Sequence, residues 1–235
     1  MEPAEFIPYV RRETAAFSRA FRAAAAATPI EHCPGWTAAD LARHLGGVHR
    51  MAVAGIGSTE RAARPAGPAD DAAVADWYDE SAAILIDALE NTPPDTIAWS
   101  FGPGPKVFGF WFGREALETV VHRWDIENAS GTGSPIETNL ALEGLAEVEQ
   151  FWAPARLKRL ESLVDGRLRL VPQPTPAAAD RGSFTFGEGS PVVTIRGDAT
   201  SLYLLTWGRL PVDESMTVEG DPALLDALLH QRLTA

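Results

Sequence analysis

The chain has 235 residues, 46% of them hydrophobic and 22% charged, which is typical of a globular protein with room for two domains. Its formal net charge of -12 opposes binding to nucleic acid or to an anionic membrane surface. The single cysteine, Cys33, excludes an internal disulfide, and no apolar run approaches the roughly 20 residues that a membrane helix needs. Because the N-terminus also lacks the pattern of a signal peptide, we expect a cytoplasmic protein whose partners are small molecules.

The first half of the chain predicts a bundle of four helices, because its apolar residues recur with a helical period. The predicted ranges are about 6–27, 37–56, 72–89 and 114–129. The second helix opens at Thr37 with Asp40 three positions later, which is a capping box with Asp in place of Glu. The segment 99–112 is rich in glycine, proline and aromatic residues and is predicted as a loop. A further helix, about 138–152, closes a first domain of residues 1–152.

The second half changes pattern after Gly166. Apolar and polar residues alternate in three segments, which predicts half-buried strands. The segments are 167–171, 183–186 and, in part, 192–196. A helix near 200–207, a strand near 216–218 and a last helix after Asp221 follow. The predicted second domain, 153–235, is therefore a small α+β domain behind an all-α one.

Three residues could form a metal site in the helical part. Glu118 and His122 are four positions apart, about 40° around a helix, so their side chains project from one face. His44, in the middle of the second helix, can point into the same bundle interior. Two imidazoles and one carboxylate leave a fourth position open, as in catalytic zinc sites. Spacing alone, however, favours a solvated surface pair over a metal site.

Neighbouring side chains offer alternatives. His49 lies about 140° around the helix from His44, so the two cannot share one metal. Asp40 is one turn before His44, but its capping role already explains it. Asp125, three positions after His122, could orient that imidazole or be a solvated charge.

Two further features have ordinary structural explanations. Cys33 beside Pro34 could be a nucleophile, but a small buried turn residue is the simpler interpretation. The pair Gly46 and Gly47 lies inside a predicted helix with no strand before it, which favours close helix packing over a phosphate-binding loop.

Three separated segments resemble the mycothiol-dependent maleylpyruvate isomerase family, in the order that the family has them. They are 33–50, with Cys33-Pro34-Gly35-Trp36-Thr37 and His44-Leu45-Gly46-Gly47-Val48-His49-Arg50; 110–125, with Glu118-Thr119-Val120-Val121-His122-Arg123-Trp124-Asp125; and 196–222, with Leu204-Leu205-Thr206-Trp207-Gly208-Arg209-Leu210. The resemblance implies a DinB-like four-helix bundle followed by a sterol-carrier-like domain. It also implies metal ligands at His44, Glu118 and His122. Leu117 departs from the histidine that members often have there, but this is not a ligand position.

The resemblance further implies a zinc enzyme that uses mycothiol as its thiol and acts as an isomerase or S-transferase on a small electrophile such as maleylpyruvate. Arg209 and Arg114 are the candidates for binding an anionic substrate; helix capping and packing, respectively, are their alternative roles. A metal enzyme using another thiol or a bound water, and a non-catalytic metal-binding protein, remain open, because a scaffold does not fix an activity. Nickel, cobalt or iron could occupy the same ligand set.

Overall fold

The computed structural model describes residues 1–160, 163–173, 175 and 181–234. The chain divides into two compact units, Met1–Ser134 and Pro135–Ala235. The predicted domain boundary lies after Trp152, whereas this division lies after Ser134. The helical segment 138–152 therefore falls in the second unit, where it packs on another helix. None of the described helices is both long and apolar enough to cross a bilayer.

The first unit is a bundle of four helices, as predicted. They are α1 (Ile7–Ala23), α2 (Ala38–Ala54), α3 (Val74–Asn91) and α4 (Gly109–Ala129). Short 3-10 turns, Pro3–Phe6 and Asp71–Ala73, precede α1 and α3. Helix α1 packs on α3 and α4, and α2 packs on the same two helices. Large apolar side chains from all four helices form the core, among them Phe17, Leu41, Leu45, Tyr78 and Ile126.

Two predicted helix boundaries are wrong. Helix α1 ends at Ala23 and not near residue 27, because the backbone becomes extended at Ala24. Helix α4 begins at Gly109 and not at Arg114, so the end of the predicted aromatic loop is helical. Trp111 and Phe112 are almost fully buried there, and burial of large aromatic side chains outweighs a weak local helix propensity. These two residues therefore belong to the core.

The N-terminus of α2 is fixed by the predicted capping box. The hydroxyl oxygen of Thr37 accepts a hydrogen bond from the backbone N–H of Asp40 at 3.3 Å. In return the Asp40 carboxylate accepts from the backbone N–H of Thr37 at 3.0 Å and from its hydroxyl at 2.8 Å. These bonds satisfy amides that a helix start leaves without partners. They define where the helix that carries His44 begins.

The two glycines of α2 allow other parts of the chain to approach its backbone. A Cβ atom at Gly46 would lie 2.4 Å from the ring of Trp77 on α3. A Cβ atom at Gly47 would lie 2.6 Å from the carbonyl oxygen of Pro65, in the connection between α2 and α3. The close packing predicted for these glycines is confirmed, against a helix at Gly46 and against a loop at Gly47.

The second unit combines helices with a mixed sheet. Its helices are α5 (Thr138–Glu147), continued by a π-helical turn (Val148–Trp152) and α6 (Ala153–Leu157), then α7 (Ala199–Thr206) and α8 (Pro222–His230). Its strands are β1 (Arg167–Pro172), β2 (Phe184–Phe186), β3 (Val192–Gly197) and β4 (Thr217–Glu219). In the described part of the chain they form one sheet in the order β2-β1-β3-β4. The central pair, β1 and β3, is parallel and the outer pairs are antiparallel.

The alternation seen in the sequence accounts for how this sheet is buried. Leu168 and Leu170 of β1 are buried, while Arg167 and Arg169, which alternate with them, are exposed. Helix α5 packs on α7, and a Cβ atom at Gly144 would lie 2.4 Å from the ring of Tyr203. The fold class predicted from the sequence, an all-α bundle followed by a small α+β part, is confirmed.

Candidate metal centre

His44, Glu118 and His122 come together inside the first unit. One potential ligand atom of each residue lies within 4.8 Å of the other two. The Nε2 atom of His44 is 2.9 Å from Oε1 of Glu118, and the Nε2 atom of His122 is 3.4 Å from that same oxygen. Helix α2 supplies the first residue and one face of α4 supplies the other two. We call these three residues the donor group.

The donor group fits a divalent metal such as zinc. Zinc bonds of about 2.0–2.1 Å at tetrahedral angles place neighbouring ligand atoms roughly 3.3 Å apart. The two nitrogen-to-oxygen distances lie close to that separation. All three side chains are partly buried but not sealed, with about a sixth of the side chains of His44 and Glu118 exposed. Two imidazoles and one carboxylate therefore supply three ligands and leave access for a fourth.

Arg114 positions the carboxylate of the donor group. It is buried one helical turn before Glu118 and donates a hydrogen bond to Oε2 at 2.6 Å, while Oε1 faces the two histidines. Burial alone would raise the pKa of Glu118, but the charge of Arg114 and hydrogen bonds with His122 and His44 hold this pKa well below its ordinary value. Glu118 is therefore ionised and ready to bind a cation at neutral pH.

Asp125 positions the imidazole of His122. Its Oδ2 atom lies 2.9 Å from Nδ1 of His122, and the thiol of Cys33 lies 3.8 Å from this oxygen. Burial lowers the pKa of His122, but hydrogen bonds with Asp125, Cys33 and Glu118 outweigh burial and raise it well above its ordinary value. Because Asp125 is almost fully buried, it is no solvated charge; it directs Nε2 of His122 towards Glu118.

His44 has different neighbours. Its Nδ1 atom is 2.9 Å from a guanidinium nitrogen of Arg64, in the connection between α2 and α3. The ring also packs against Trp36, with 4.9 Å between ring centres. The Arg64 contact was not predicted, because its segment has no periodicity that would place it beside α2.

Other residues singled out in the sequence take structural positions. Asp40 is engaged in the capping box and with Arg43, away from the donor group's ligand atoms. His49 is fully buried and pairs with Glu115, with 2.6 Å between Nδ1 and Oε2. This pair joins α2 to α4, and the sequence analysis missed Glu115 as its acidic member. The helical angle correctly kept His49 out of the donor group.

Arg209 lies in the second unit, just after α7. Its backbone N–H donates to the carbonyl oxygen of Leu204 at 2.9 Å, and its guanidinium donates to the carbonyl oxygen of Trp207 at 2.9 Å. Both carbonyls belong to the end of α7, so these bonds are those of a helix-capping residue. The substrate-binding role expected for Arg209 remains a prediction.

Comparisons with known proteins agree with the two-part fold. A family model described as the mycothiol maleylpyruvate isomerase N-terminal domain matches residues 9–127, and the model of the C-terminal domain of the same family matches residues 139–227. A crystal structure of a mycothiol-dependent maleylpyruvate isomerase superposes with a TM-score of 0.68 at 16% identity, covering 94% of this chain and 95% of that one. A histidine-to-alanine mutant of such an isomerase gives 0.66 at 17% identity, with the same coverage. No curated protein matches.

Proposed function

Because the chain belongs to the mycothiol maleylpyruvate isomerase family, we propose that it is a metal-dependent enzyme that uses a low-molecular-weight thiol. Its substrate is a small electrophile such as maleylpyruvate, and its reaction is an isomerisation or an S-transfer. The observation that supports this most directly is the convergence of two imidazoles and one carboxylate within 4.8 Å. Mycothiol is the thiol that the family's name suggests, and zinc is the metal that suits these donors.

The chain's own residues would hold the metal as follows. His44 and His122 would bind through Nε2, and Glu118 through Oε1, since these three atoms face one another. Arg114 occupies the other oxygen of Glu118 and keeps that carboxylate ionised. Asp125 accepts the Nδ1 hydrogen of His122, so that Nε2 is the nitrogen that would bind a metal, in place of its own hydrogen.

A divalent metal held here would supply an open coordination position that lowers the pKa of an incoming thiol and favours its thiolate form at neutral pH. The protein then needs no cysteine nucleophile of its own, in agreement with Cys33 being a hydrogen-bonding neighbour of Asp125. In an isomerisation, the thiolate sulfur of the cosubstrate adds to one carbon of a cis double bond, and the electron pair of that double bond moves onto the conjugated carbonyl of the substrate. The carbon–carbon bond, now single, rotates. The electron pair then re-forms the double bond in the trans configuration as the carbon–sulfur bond breaks and the thiolate leaves. In an S-transfer that bond persists.

Arg114 is a positioning residue in this proposal, because its guanidinium is directed at Glu118. Arg209 keeps its predicted role in binding an anionic substrate, and a cytoplasmic location likewise remains a prediction.

The test is consumption of maleylpyruvate by the purified, zinc-loaded chain with mycothiol, with glutathione and with no thiol. We expect consumption with mycothiol only, and we expect it to fall to background in His122→Ala. His230→Ala is the matched control, because His230 is exposed on α8 and its contacts within the described part of the chain are with Asp226 of the same helix. Full activity of His122→Ala would contradict the proposal. Zinc retained at one ion per chain with no thiol-dependent consumption would favour a non-catalytic metal-binding protein.

A further inference from the structure

Two side-chain pairs join helix α2 to helix α4. In the donor group, Nε2 of His44 lies 2.9 Å from Oε1 of Glu118. The second pair is His49, five positions later on α2, and Glu115, three positions earlier on α4, with 2.6 Å between Nδ1 and Oε2. At a rise of 1.5 Å per residue, the second pair lies about 4.5 to 7.5 Å further along the two helices. One contact sets the distance between two helices at a single level, whereas two contacts also set how far one helix lies along the other.

The apolar packing of the bundle leaves a role for such contacts. Helix α2 packs most extensively on α3, and α4 packs most extensively on α1, while the packing of α2 on α4 is much smaller. Gly46 fixes a close approach of α2 to Trp77, which belongs to α3 and not to α4. The position of α2 relative to α4 therefore depends strongly on the side chains that join these two helices.

Stability does not account for the second pair. The side chains of His49 and Glu115 are fully buried, and the ring of Tyr78 on α3 lies 5.8 Å from the imidazole of His49. In the part of the chain that the structure describes, no group forms a hydrogen bond with Nε2 of His49 or with Oε1 of Glu115, although both atoms are buried. Apolar side chains of similar volume often replace a buried pair of this kind with no loss of stability. What an apolar replacement does not supply is a directional contact at one defined position.

The donor group is sensitive to that position. His44 lies on α2, whereas Glu118 and His122 share one face of α4. Metal–ligand bonds tolerate deviations of only about 0.2 Å. A small shift of α2 along α4 would therefore take His44 out of reach of a metal and would leave the two ligands on α4 together.

We propose that His49 and Glu115 are positioning residues for the donor group. Their contact holds α2 and α4 at the separation and the axial position at which His44 meets Glu118 and His122. This inference rests on the proposed function for its metal, and it deepens that function by naming what aligns the two helices that supply the ligands.

A double variant separates a positioning role from a structural one. His49→Leu with Glu115→Met replaces both side chains with apolar ones of similar size, so that neither polar group is left buried alone. We expect the midpoint of urea unfolding of the full-length chain to stay the same or to rise. Zinc affinity, measured by chelator competition, should nevertheless fall at least about tenfold, the lower end of the loss seen when the groups that support metal ligands are removed.

X-ray absorption of the zinc-loaded chain gives a second measurement that does not depend on turnover. The wild type should show two imidazole ligands. The double variant should show one, because His44 is the ligand that α2 supplies.

Single variants of Glu115 carry the test if the double variant does not fold. Glu115→Gln keeps the length of the side chain and a group that can form a hydrogen bond with His49, so it should keep the zinc affinity of the wild type. Glu115→Asp keeps the carboxylate but withdraws it by one methylene group, so it should weaken zinc binding. Tyr78→Phe is the matched control: it removes a buried polar group from α3 beside His49, and it should bind zinc as the wild type does.

The outcomes separate this inference from the proposed function. A folded double variant, or Glu115→Asp, with the zinc affinity and the two imidazole ligands of the wild type would overturn the positioning role and leave the metal enzyme standing. An equal loss of zinc affinity in Tyr78→Phe would also overturn it, because any change in this part of the core would then have the same effect. A wild type that binds no zinc would overturn the proposed function, and the positioning role with it.

Discussion

At the scale of single residues, each side chain of the donor group is oriented by one neighbour. The pairs are Arg114 with Glu118, Asp125 with His122 and Arg64 with His44. Arg114 keeps the carboxylate of Glu118 ionised, and Asp125 fixes the orientation of the His122 ring, so that Nε2 is directed at Glu118.

Asp125→Asn should weaken zinc binding by about 10–100-fold, the usual loss when the outer partner of a metal-binding histidine is removed. The carboxylate oxygen 2.9 Å from Nδ1 of His122 is replaced by an amide, which accepts that hydrogen less strongly. Chelator competition measures the change. Asp226→Asn is the control, since Asp226 lies 3.3 Å from the exposed His230 on α8. Equal zinc affinities in the two variants would count against the role of Asp125.

Arg114→Gln should destabilise the metal-free chain by about 3–5 kcal/mol, because it leaves a buried carboxylate without its cation. The pKa of Glu118 lies below its ordinary value, so its contribution to stability is present above its unfolded-state pKa and is lost as the pH falls through the folded-state pKa. Without Arg114 the folded-state pKa rises, so the loss should be smaller and should be complete at higher pH. Urea unfolding at pH 7 and at successively lower pH values, below the ordinary pKa of a glutamate, measures both effects.

Arg11→Gln serves as the comparison for that experiment. Arg11 pairs with Glu90 on the surface, where both side chains are more than a third exposed, and such pairs contribute at most about 1 kcal/mol. If the two arginine variants lose similar stability, the ion pair between Arg114 and Glu118 is no stronger than a surface pair.

At the scale of helices, α2 positions His44 through its capped start and its glycines. The capping box fixes where the helix begins, and the glycines fix how closely α3 and the 58–70 loop lie against it. The capping box and the glycine contacts contribute far less to stability than the buried core does, yet they set the position of His44.

Asp40→Ala should lower the free energy of unfolding by about 1 kcal/mol at pH 7, the usual cost of losing a helix N-terminal cap. The pKa of Asp40 is lowered by hydrogen bonds from the backbone and side chain of Thr37. Its stabilisation is therefore present above its unfolded-state pKa and disappears as the pH falls through its folded-state pKa. Urea titrations at neutral and acidic pH should show the gap between wild type and variant closing in acid. Asp87→Ala, an exposed change inside α3, should leave stability nearly unchanged at both.

Gly46→Ala should destabilise the bundle by about 1–3 kcal/mol, because the added methyl group would lie 2.4 Å from the Trp77 ring in a packed interface. Thermal unfolding measures the loss. Gly133→Ala is the control, since nothing lies within 4 Å of a Cβ atom there. A Gly46→Ala variant as stable as Gly133→Ala would mean that α2 and α3 separate at no cost.

The bundle and the sheet could be predicted because their signals are local or periodic, whereas the choice of His44, Glu118 and His122 as one group depended on the family resemblance. Helical spacing placed Glu118 and His122 on one face, and alternation gave the burial of β1. The start of α4 was missed, because burial of Trp111 and Phe112 is a tertiary effect that overrides local composition. Arg64 was missed because its loop has no period, and its contact with His44 depends on how Gly47 lets the loop approach α2.

At the scale of the whole molecule, all three members of the donor group and the neighbours that orient them lie in the unit Met1–Ser134. This unit also has its own buried core. The proposed metal ligands are thus contained in one unit.

Residues 1–134 expressed alone should therefore fold and bind zinc within about threefold of the affinity of the full chain, since sites with no shared partners behave additively. Circular dichroism and chelator competition measure this, with His122→Ala in the same fragment as the negative control. A folded fragment with zinc affinity reduced a hundredfold would show that the second unit contributes to the site.

The two histidines of the donor group are held with unequal strength, and this has a kinetic consequence. The ring of His122 lies between Glu118 and the buried Asp125. The Nδ1 atom of His44 instead contacts the exposed guanidinium of Arg64. A divalent metal held by the donor group would consequently be lost through release of His44 before release of the two ligands on α4, so the rate of metal loss should respond to substitutions beside His44 more than to those beside Glu118.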